Sequence, residues 1–559
     1  MRTNKDVEKV ELSRQKIDSS EEWKNFTGLI DDARRLFNPN VATLRSQVAK
    51  GAVIKDRRIS DLGISFRKDY TAGIMSEMIT SGEQWFNLDA DDLKQEEFKE
   101  LKRQSGIMRD IMNAVNFVAE TYKAVSSSCA DGTVCEYVEQ GMGDELRYCT
   151  VPFGSFWFKT NFYWRPDRVW IEKKISAGAL VEKYGEEKVS EKCLSKFKEN
   201  PEEEVSIIYY CAPRKKRDSE KRDVKNKAYE VLIYEKGESD PNLLEEGGAD
   251  SQMFHVYRVG ITGIERLGRG PCIDAMSTMN EIEQVLSDMR RSRRLKVVPT
   301  LALPASQGLN SYKWIHESAC SYLVYNDSGL SGQPPQEIIS PADINEGEEW
   351  IEWLTKLMRG LFFLDYFNPL QDRRNMTLGE TRERLQKSQQ MVDQITGPLE
   401  KELLTPILKR TYQLLGESGA FDTDEMTWAD IQDVFAGRMR IRYSSRLANA
   451  QRMVQLSSDL EAAQQMMFVG QAIPEPFLLE FVAQIDWSKY PKRIVEGTNA
   501  TKSLLRDEED AQDVIDTFRQ AQAKAQQMES ISQEADAFSK ASKAPEQGSP
   551  AAQLIEAQI

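Results

Sequence analysis

The segment Phe363–Gly419 organises the rest of the chain and reads FLDYFNPLQDRRNMTLGETRERLQKSQQMVDQITGPLEKELLTPILKRTYQLLGESG. It contains a loop with two arginines, a long helical pattern with a marked start, and a break at Gly397-Pro398. Apolar residues recur at helical spacing, at Leu385, Val392, Ile395, Leu399, Leu403 and Ile407. No catalytic motif lies in the segment, which indicates a mechanical part and not a reactive one.

The start and the break of this helix follow from local chemistry. Residues 377–380, TLGE, fit a capping box in which the Thr377 hydroxyl accepts a backbone N–H and Glu380 reaches back to the N–H of Thr377. Pro398 removes a hydrogen-bond donor in the middle of the pattern, so we expect a kink or short interruption near Gly397. Thr377 and Glu380 are the predicted cap, and Gly397 and Pro398 are the predicted hinge.

The composition bounds the class of protein. A length of 559 residues suggests roughly three or four domain-sized units, and 40% hydrophobic with 29% charged residues is typical of a globular protein. No apolar run is long enough for a membrane span, and the N-terminus lacks the apolar core of a signal peptide. The seven cysteines have no close pairing, which indicates free thiols in a reducing cytoplasm.

The charge balance limits how the chain could bind nucleic acid. The formal net charge is −15, whereas proteins that hold nucleic acid tightly are usually basic because they neutralise phosphates. This argues against tight DNA binding by the chain as a whole. It does not argue against a surface along which DNA slides, because weak contact and mutual repulsion favour sliding.

Helical and β-rich patterns alternate and predict an α+β fold that is mainly helical, with β-rich segments over 129–260 and 297–340. Two aromatic runs, Phe153–Phe158 and Phe162–Trp164, could stack on bases, but aromatic strands more often form a half-buried core, and we favour the core. The basic segment Pro213–Arg222 could bind nucleic acid, but its interleaved acidic residues favour a solvated hairpin tip.

A second basic feature ends a long amphipathic helix. Gly268-Arg269-Gly270-Pro271 breaks the chain before this helix, and Pro271 suits the first helical position. The helix ends in a basic cluster of Arg290, Arg291, Arg293, Arg294 and Lys296. Cations at a helix C-terminus are favoured by the helix dipole, but five in so short a stretch exceed what capping needs.

The sequence contains none of the common catalytic motifs. The two histidines, His255 and His316, lie alone in strand-like contexts, where each is more often a satisfied structural residue than a ligand or base. Neither a phosphate-binding loop, nor HExxH, nor GxSxG, nor paired CxxC occurs, and no spacing selects a catalytic carboxylate pair. The sequence therefore predicts a protein that is not an enzyme and that needs no cofactor or metal.

In four segments the chain resembles the portal proteins, or head-to-tail connectors, of short-tailed double-stranded DNA bacteriophages. The segments are Ile59–Leu88 with its QWFNL ending, Tyr257–Pro271, Asn375–Glu380 and Ser445–Gln451. Their order and spacing carry the resemblance, which covers roughly residues 10–530. Two positions depart from the family pattern: Arg446 stands where a proline is expected, and Gly379 where a better helix former is usual.

The resemblance implies a portal fold assembled as a dodecameric ring. The parts that it implies are a wing over 1–270, a first stem helix over 271–296, a clip over 297–344, a second stem helix over 345–361, a tunnel loop over 362–376, a tunnel helix and wing return over 377–498, a crown helix over 499–540 and a disordered tail over 541–559. A ring closed by head-to-tail contacts needs two different buried faces on each subunit, which suits many amphipathic helices without one obvious core.

The resemblance also implies a function and partners. The ring would lie at one capsid vertex of the virion, after synthesis in the host cytoplasm, and double-stranded DNA would pass through it during packaging and ejection. Its partners would be the terminase motor, a tail adaptor protein, and capsid and scaffolding proteins, with no membrane. Arg373, Arg374 and Asn375 in the tunnel loop become DNA-channel candidates. The basic cluster would reach DNA or, as we favour, an acidic face of a neighbouring subunit.

Two other classes of protein stay open at this point. A DNA-processing enzyme of the packaging apparatus would need a phosphate-binding loop or clustered metal carboxylates, and neither pattern is present. A helical scaffolding or internal virion protein would suit the C-terminal region rich in Gln and Ala, but scaffolds are usually helical throughout.

Overall fold

The fold was analysed in a computed structural model. It describes residues 4–39, 59–79, 84–90, 95–141, 145–215, 217–218, 223–237, 241–297, 301–304, 322–325, 336–337, 344–367, 378–423, 427–429, 431 and 439–444, with scattered positions in 456–468 and 514–524. The chain divides into two compact units, residues 1–450 and residues 451–559. The mixed α+β fold class predicted from the sequence is confirmed in the first unit.

Five helices form the N-terminal part of the first unit. They are α1 (Asn4–Asp18), α2 (Glu21–Phe37), α3 (Leu62–Met78), α4 (Gln95–Ala114) and α5 (Phe117–Asp131). Helix α2 begins at a Ser20 cap, whose hydroxyl accepts the backbone N–H of Trp23. One side of the bundle contributes to a large core that also takes in residues from the second half of this unit.

Strand β1 (Phe86–Ala90) lies between α3 and α4 in the chain and belongs to neither of the two antiparallel sheets that follow α5. The strands of those two sheets are β2 (Thr133–Gln140), β3 (Leu146–Val151), β4 (Phe156–Thr160), β5 (Pro166–Ser176), β6 (Glu204–Pro213), β7 (Tyr229–Glu235), β8 (Asn242–Ala249) and β9 (Phe254–Arg258). Strands β4 to β8 form one sheet in chain order, and the other sheet has the order β3-β2-β9. The basic segment predicted as a hairpin tip connects β6 to β7, with a 3₁₀ turn at Val224–Asn226.

The five-stranded sheet packs against other elements on both of its faces. Side chains alternate between the two faces along each strand. Tyr210 pairs with Leu232, and both belong to a core shared with Trp23 of α2. Their neighbours Tyr209 and Ile233 pair on the opposite face. That face packs against α6 (Ala177–Tyr184) and α7 (Glu191–Glu199).

The glycine-rich break before the amphipathic helix has a packing reason. A Cβ on Gly270 would lie 2.2 Å from the carbonyl oxygen of Cys129, so only glycine lets the two backbones approach. Pro271 then begins α8 (Pro271–Asp274), and α9 (Met276–Val297) continues after an interruption at Ala275. The predicted single helix is therefore two helices in series.

The second half of this unit returns to helices after a short sheet. Strands β10 (Leu301–Pro304), β11 (Tyr322–Tyr325) and β12 (Gln336–Glu337) form that sheet, with β10 parallel to β11 and antiparallel to β12. The elements that follow are α10 (Ile344–Leu361), α11 (Leu364–Phe367), α12 (Leu378–Leu399), a π-helical turn (Glu400–Leu404), α13 (Thr405–Glu417) and β13 (Met439–Tyr443).

Strand β13 closes the first unit by pairing with β1. Phe86 lies opposite Tyr443, and Trp85 stacks on Phe117 of α5 with ring centroids 5.9 Å apart. In the second unit, residues 514–521 are helical and lie inside the range expected for the crown helix. The expected tail, 541–559, lies outside the described residues.

Candidate functional site

Most of the loop predicted to face a channel lies outside the described residues. This applies to Arg373, Arg374, Asn375 and the cap residue Thr377. The helix that follows begins at Leu378, and Glu380 is exposed in its first turn. The described parts of the site are therefore the chain entering the loop, the predicted hinge in the long helix and the basic helix end.

The chain entering the loop is anchored by aromatic packing. Phe362 is fully buried, stacks on Phe66 at 5.6 Å and meets the edge of Tyr70 at 6.1 Å between ring centroids. Phe367 lies 6.4 Å from Tyr70 and covers Gly73, where a Cβ would come within 2.4 Å of its ring. Helix α3 therefore fixes the point from which the loop departs.

The predicted interruption of the long helix takes the form of a π-helical turn. Helix α12 includes Gly397 and Pro398, and the π-helical turn begins two residues beyond Pro398, at Glu400. The N–H of Thr405 donates to the carbonyl of Glu400, five residues back. Pro406 then stands in the first turn of α13, directly after the π-helical turn, and has no N–H to donate to a carbonyl of that turn.

One buried arginine fastens this turn to the β-rich part of the unit. The carboxylate of Glu402 accepts the backbone N–H of Arg258 at 3.1 Å and its Nε at 3.2 Å, and it also pairs with Nη2. The same guanidinium donates to the carbonyls of Trp164 at 3.0 Å and Arg266 at 3.2 Å. Arg258 thus joins strand β9, a hairpin tip and the π-helical turn.

Sequence reasoning missed this contact. Arg258 lay in a segment that carried the family resemblance, and Glu402 lay beside the predicted hinge. The two residues are 144 positions apart, and no local pattern indicates which of the many carboxylates a given arginine meets. Only the fold brings them together.

A second polar group lies buried between the three-stranded sheet and helices. Glu136 pairs across the strands with His255, and Thr121 of α5 donates to Glu136 Oε1 at 3.3 Å. Burial raises the pKa of Glu136 to about 8, and burial together with the nearby Arg410 charge lowers the pKa of His255 to about 3. Both side chains are therefore uncharged near pH 7.

The expectation of a satisfied structural histidine needs correction. His255 is buried in a strand, as a structural residue would be, but its Nε2 has no hydrogen-bond partner among the described residues. It lies on β9 opposite Glu136 of β2, where burial and the nearby Arg410 charge keep its ring neutral. His316 lies outside the described residues.

The two aromatic runs have different outcomes. Phe153, Phe156, Trp157 and Phe158 are buried, so the interpretation of the first run as core is confirmed. The second run is not core, because Phe162–Trp164 form the exposed turn between β4 and β5, with Phe162 89% exposed. Trp164 has a positive φ of 61° in this turn, a backbone conformation that is uncommon for residues other than glycine.

The basic cluster lies on the exposed end of α9. Arg290, Arg291, Arg293, Arg294 and Lys296 are all exposed. Arg293 donates to Glu348 of α10 at 2.7 Å between Nη2 and Oε1. Within the described part of the chain, the other four members make no ion pair. The cluster therefore presents positive charge to solvent beside the pair formed by α9 and α10.

Comparison with known proteins decides the family. Residues 12–505 match the model of the family described as bacteriophage head to tail connecting protein. The chain belongs to this family. The probable portal protein of Bordetella phage BPP-1 is 23% identical over 398 residues, which is 69% of each chain. The portal protein of Salmonella phage epsilon15 is 22% identical over 548 residues, which covers 95% of this chain and 94% of that relative.

The resemblance to portal proteins that was seen in the sequence is thus confirmed. The chain belongs to a family of bacteriophage proteins that connect the head to the tail. In the part of the chain that the structure describes, no group of His, Cys, Asp or Glu is arranged to hold a metal ion. No helix in the described ranges is both long enough and apolar enough to cross a membrane.

Proposed function

We propose that the chain is the portal subunit, which assembles as a dodecameric ring at one capsid vertex and forms the channel through which double-stranded DNA is packaged and ejected. The match of the family model to residues 12–505 carries this proposal. In the proposed assignment, α8 to α10 form the stem, residues 297–344 form the clip, and residues 499–540 contribute the crown. The terminase motor and later the tail adaptor would dock at the clip.

The loop between α11 and α12 is the proposed contact with DNA. Arg373, Arg374 and Asn375 would touch phosphates transiently, and the acidic net charge of the chain would keep DNA from sticking. Phe362 supports this role because its burial holds one end of the loop in the protein. Two arginines on each subunit of a ring give many weak contacts that form and break as DNA moves.

The long helix is the proposed lever for that loop. The position of a Cβ on Gly397 is open space, so no other element of the described chain packs against the helix at that point. The π-helical turn that follows has an irregular hydrogen-bond pattern and is held to the β-rich part by the Arg258–Glu402 pair. We infer that the helix segment before the turn moves with the loop while the segment after it stays fixed.

The rival classes receive less support. A scaffolding protein that is helical throughout would not contain the five-stranded sheet β4–β8. A DNA-processing enzyme would need a nucleotide or metal site. The family, in contrast, is described by its role in connecting head and tail. The proposal is therefore a protein that acts by assembly and movement.

The native particle of the full chain tests the proposal. We expect electron microscopy of the purified protein to show a closed ring with a central hole, and a protein that stays monomeric or forms open rods would contradict it. Within a ring, the double variant Arg373→Ala, Arg374→Ala should form the same particle but package or retain DNA less well. Unchanged packaging and retention would reject the loop contact while leaving the ring intact.

A further inference from the structure

The paired helices α9 and α10 expose two different edges. Leu354 and Met358 of α10 are buried in the same core as Ile282 of α9, so these residues mark the inner contact between the helices. Trp350 Nε1 donates to Glu281 Oε1 at 3.2 Å, and Arg293 donates to Glu348. These two bonds span the helix pair and mark its two edges.

The first edge is an acidic and aromatic stripe on α10. Its members are spaced at i, i+3, i+4, i+7 and i+11, which places them on one side of the helix, and they are Glu346, Glu349, Trp350, Trp353 and Leu357. Trp353 is 53% exposed and stacks on Trp350, which is 44% exposed, at 4.8 Å between ring centroids. Leu357 is also 44% exposed, so the apolar surface is continuous over two helical turns.

An exposed stripe of this kind indicates an interface. Single exposed apolar residues are ordinary, but a continuous patch with a polar border marks a binding surface. Among the described residues, the carboxylates of Glu346 and Glu349 make no ion pair, so the stripe presents both apolar area and negative charge.

The second edge is basic and lies on the other side of the pair. Glu281, which bonds Trp350, and Arg290 are nine residues apart on α9, which is about two and a half helical turns, so they point in opposite directions. Arg294 follows Arg290 by one turn. The basic edge, Arg290 and Arg294, therefore faces away from the acidic and aromatic stripe.

We propose that the acidic and aromatic stripe of one subunit binds the basic edge of the next copy of this chain, and this inference rests on the ring assembly proposed above. Two complementary edges on opposite sides of one element are what a head-to-tail ring contact requires. Guanidinium groups of Arg290 and Arg294 would stack on Trp350 and Trp353, while Glu346 and Glu349 complete the charge pairing. Tryptophan and arginine are also the residue types that dominate binding at protein interfaces.

The aromatic part is tested by comparing ring formation by three full-length proteins. In the double variant Trp350→Ala, Trp353→Ala, the concentration at which half the chains are in rings should rise about tenfold or more, as measured by analytical ultracentrifugation. The control removes a more exposed aromatic pair elsewhere, in Phe162→Ala, Tyr163→Ala, and should assemble like wild type. Equal assembly by the tryptophan variant and wild type, or an equal loss in the control, would overturn the inference.

The charged part is tested by mixing two reversed variants. Arg290→Glu, Arg294→Glu makes both edges acidic, and Glu346→Lys, Glu349→Lys makes both edges basic, so neither protein should assemble alone. When the two variants are mixed, each acidic edge of the first variant can bind a basic edge of the second. Oligomers that contain both chains should then appear in native mass spectra. Failure of the mixture to assemble contradicts this contact, whereas failure of wild type to form rings contradicts the proposed function itself.

Discussion

The interior of the first unit and the outer edges of the α9–α10 pair use the same residue types in opposite ways. Inside, Arg34 donates two hydrogen bonds of 2.7 Å to Asp131, and both side chains are 2% exposed. On the helix pair, Arg290 and Arg294 are exposed and have no ion pair within the described part of the chain. The interior charges of Arg34 and Asp131 are removed from water and paired with each other, whereas the charges of Arg290 and Arg294 remain in contact with water.

The comparison explains why the two regions should respond differently to substitution. A buried charge whose partner is removed keeps its desolvation cost and loses its compensation. An exposed charge loses only a weak, screened attraction. Stability should therefore depend on the interior pairs, and assembly on the exposed edges.

The largest expected effect comes from breaking the interior pair. Asp131→Ala leaves the Arg34 guanidinium buried without its carboxylate and should lower the free energy of unfolding by about 3–5 kcal/mol. Denaturation by urea, followed by circular dichroism, measures this change. The matched control, Arg34→Met with Asp131→Leu, removes both charges and should lose less; an equal loss in the control would show that the pair is not the cause.

A smaller effect should follow from pH, through Glu136. Its folded pKa of about 8 lies above the usual 4.5, so its contribution to stability is complete below pH 4.5 and is lost as pH rises through 8. Between pH 6.5 and 8, wild type should lose about 2 kcal/mol relative to Glu136→Gln, which cannot ionise. Thermal unfolding of both proteins across this range gives the difference. If the stabilities of the two proteins change with pH in parallel, the protonation of Glu136 does not change on unfolding.

The smallest effect on stability belongs to the exposed pair on the helices. Arg293 and Glu348 are more than half exposed, so Arg293→Ala should change the free energy of unfolding by less than about 1 kcal/mol. A urea titration identical to that used for Asp131→Ala makes the two values comparable. A loss as large as that of Asp131→Ala would remove the distinction between the two regions.

Local patterns predicted the elements of this chain well. The π-helical turn begins two residues after Pro398, close to where an interruption was expected, and the Gly268–Pro271 break precedes α8. Each of these depends on nearby residues, since a proline or glycine acts within one turn of the backbone. The interruption at Ala275 was not predicted, because no breaker residue marks it.

The candidate site was predicted only in part. The basic cluster was identified from the sequence and is exposed on α9, while its binding role stays a prediction. The acidic and aromatic stripe was not recognised, because helical spacing of apolar residues groups Trp350 and Trp353 with Leu354 on one side of the helix. The structure separates them, with Leu354 buried and the tryptophans exposed.

The sequence by itself determined the main helices and strands, the breaks at glycine and proline, and the family, because these depend on residue spacing and on the order of segments along the chain. Only the tertiary structure decided which aromatic run became core, which carboxylate meets Arg258, and which side of α10 faces solvent. These outcomes depend on what lies opposite each residue after folding. A partner 144 positions away leaves no trace in the local pattern.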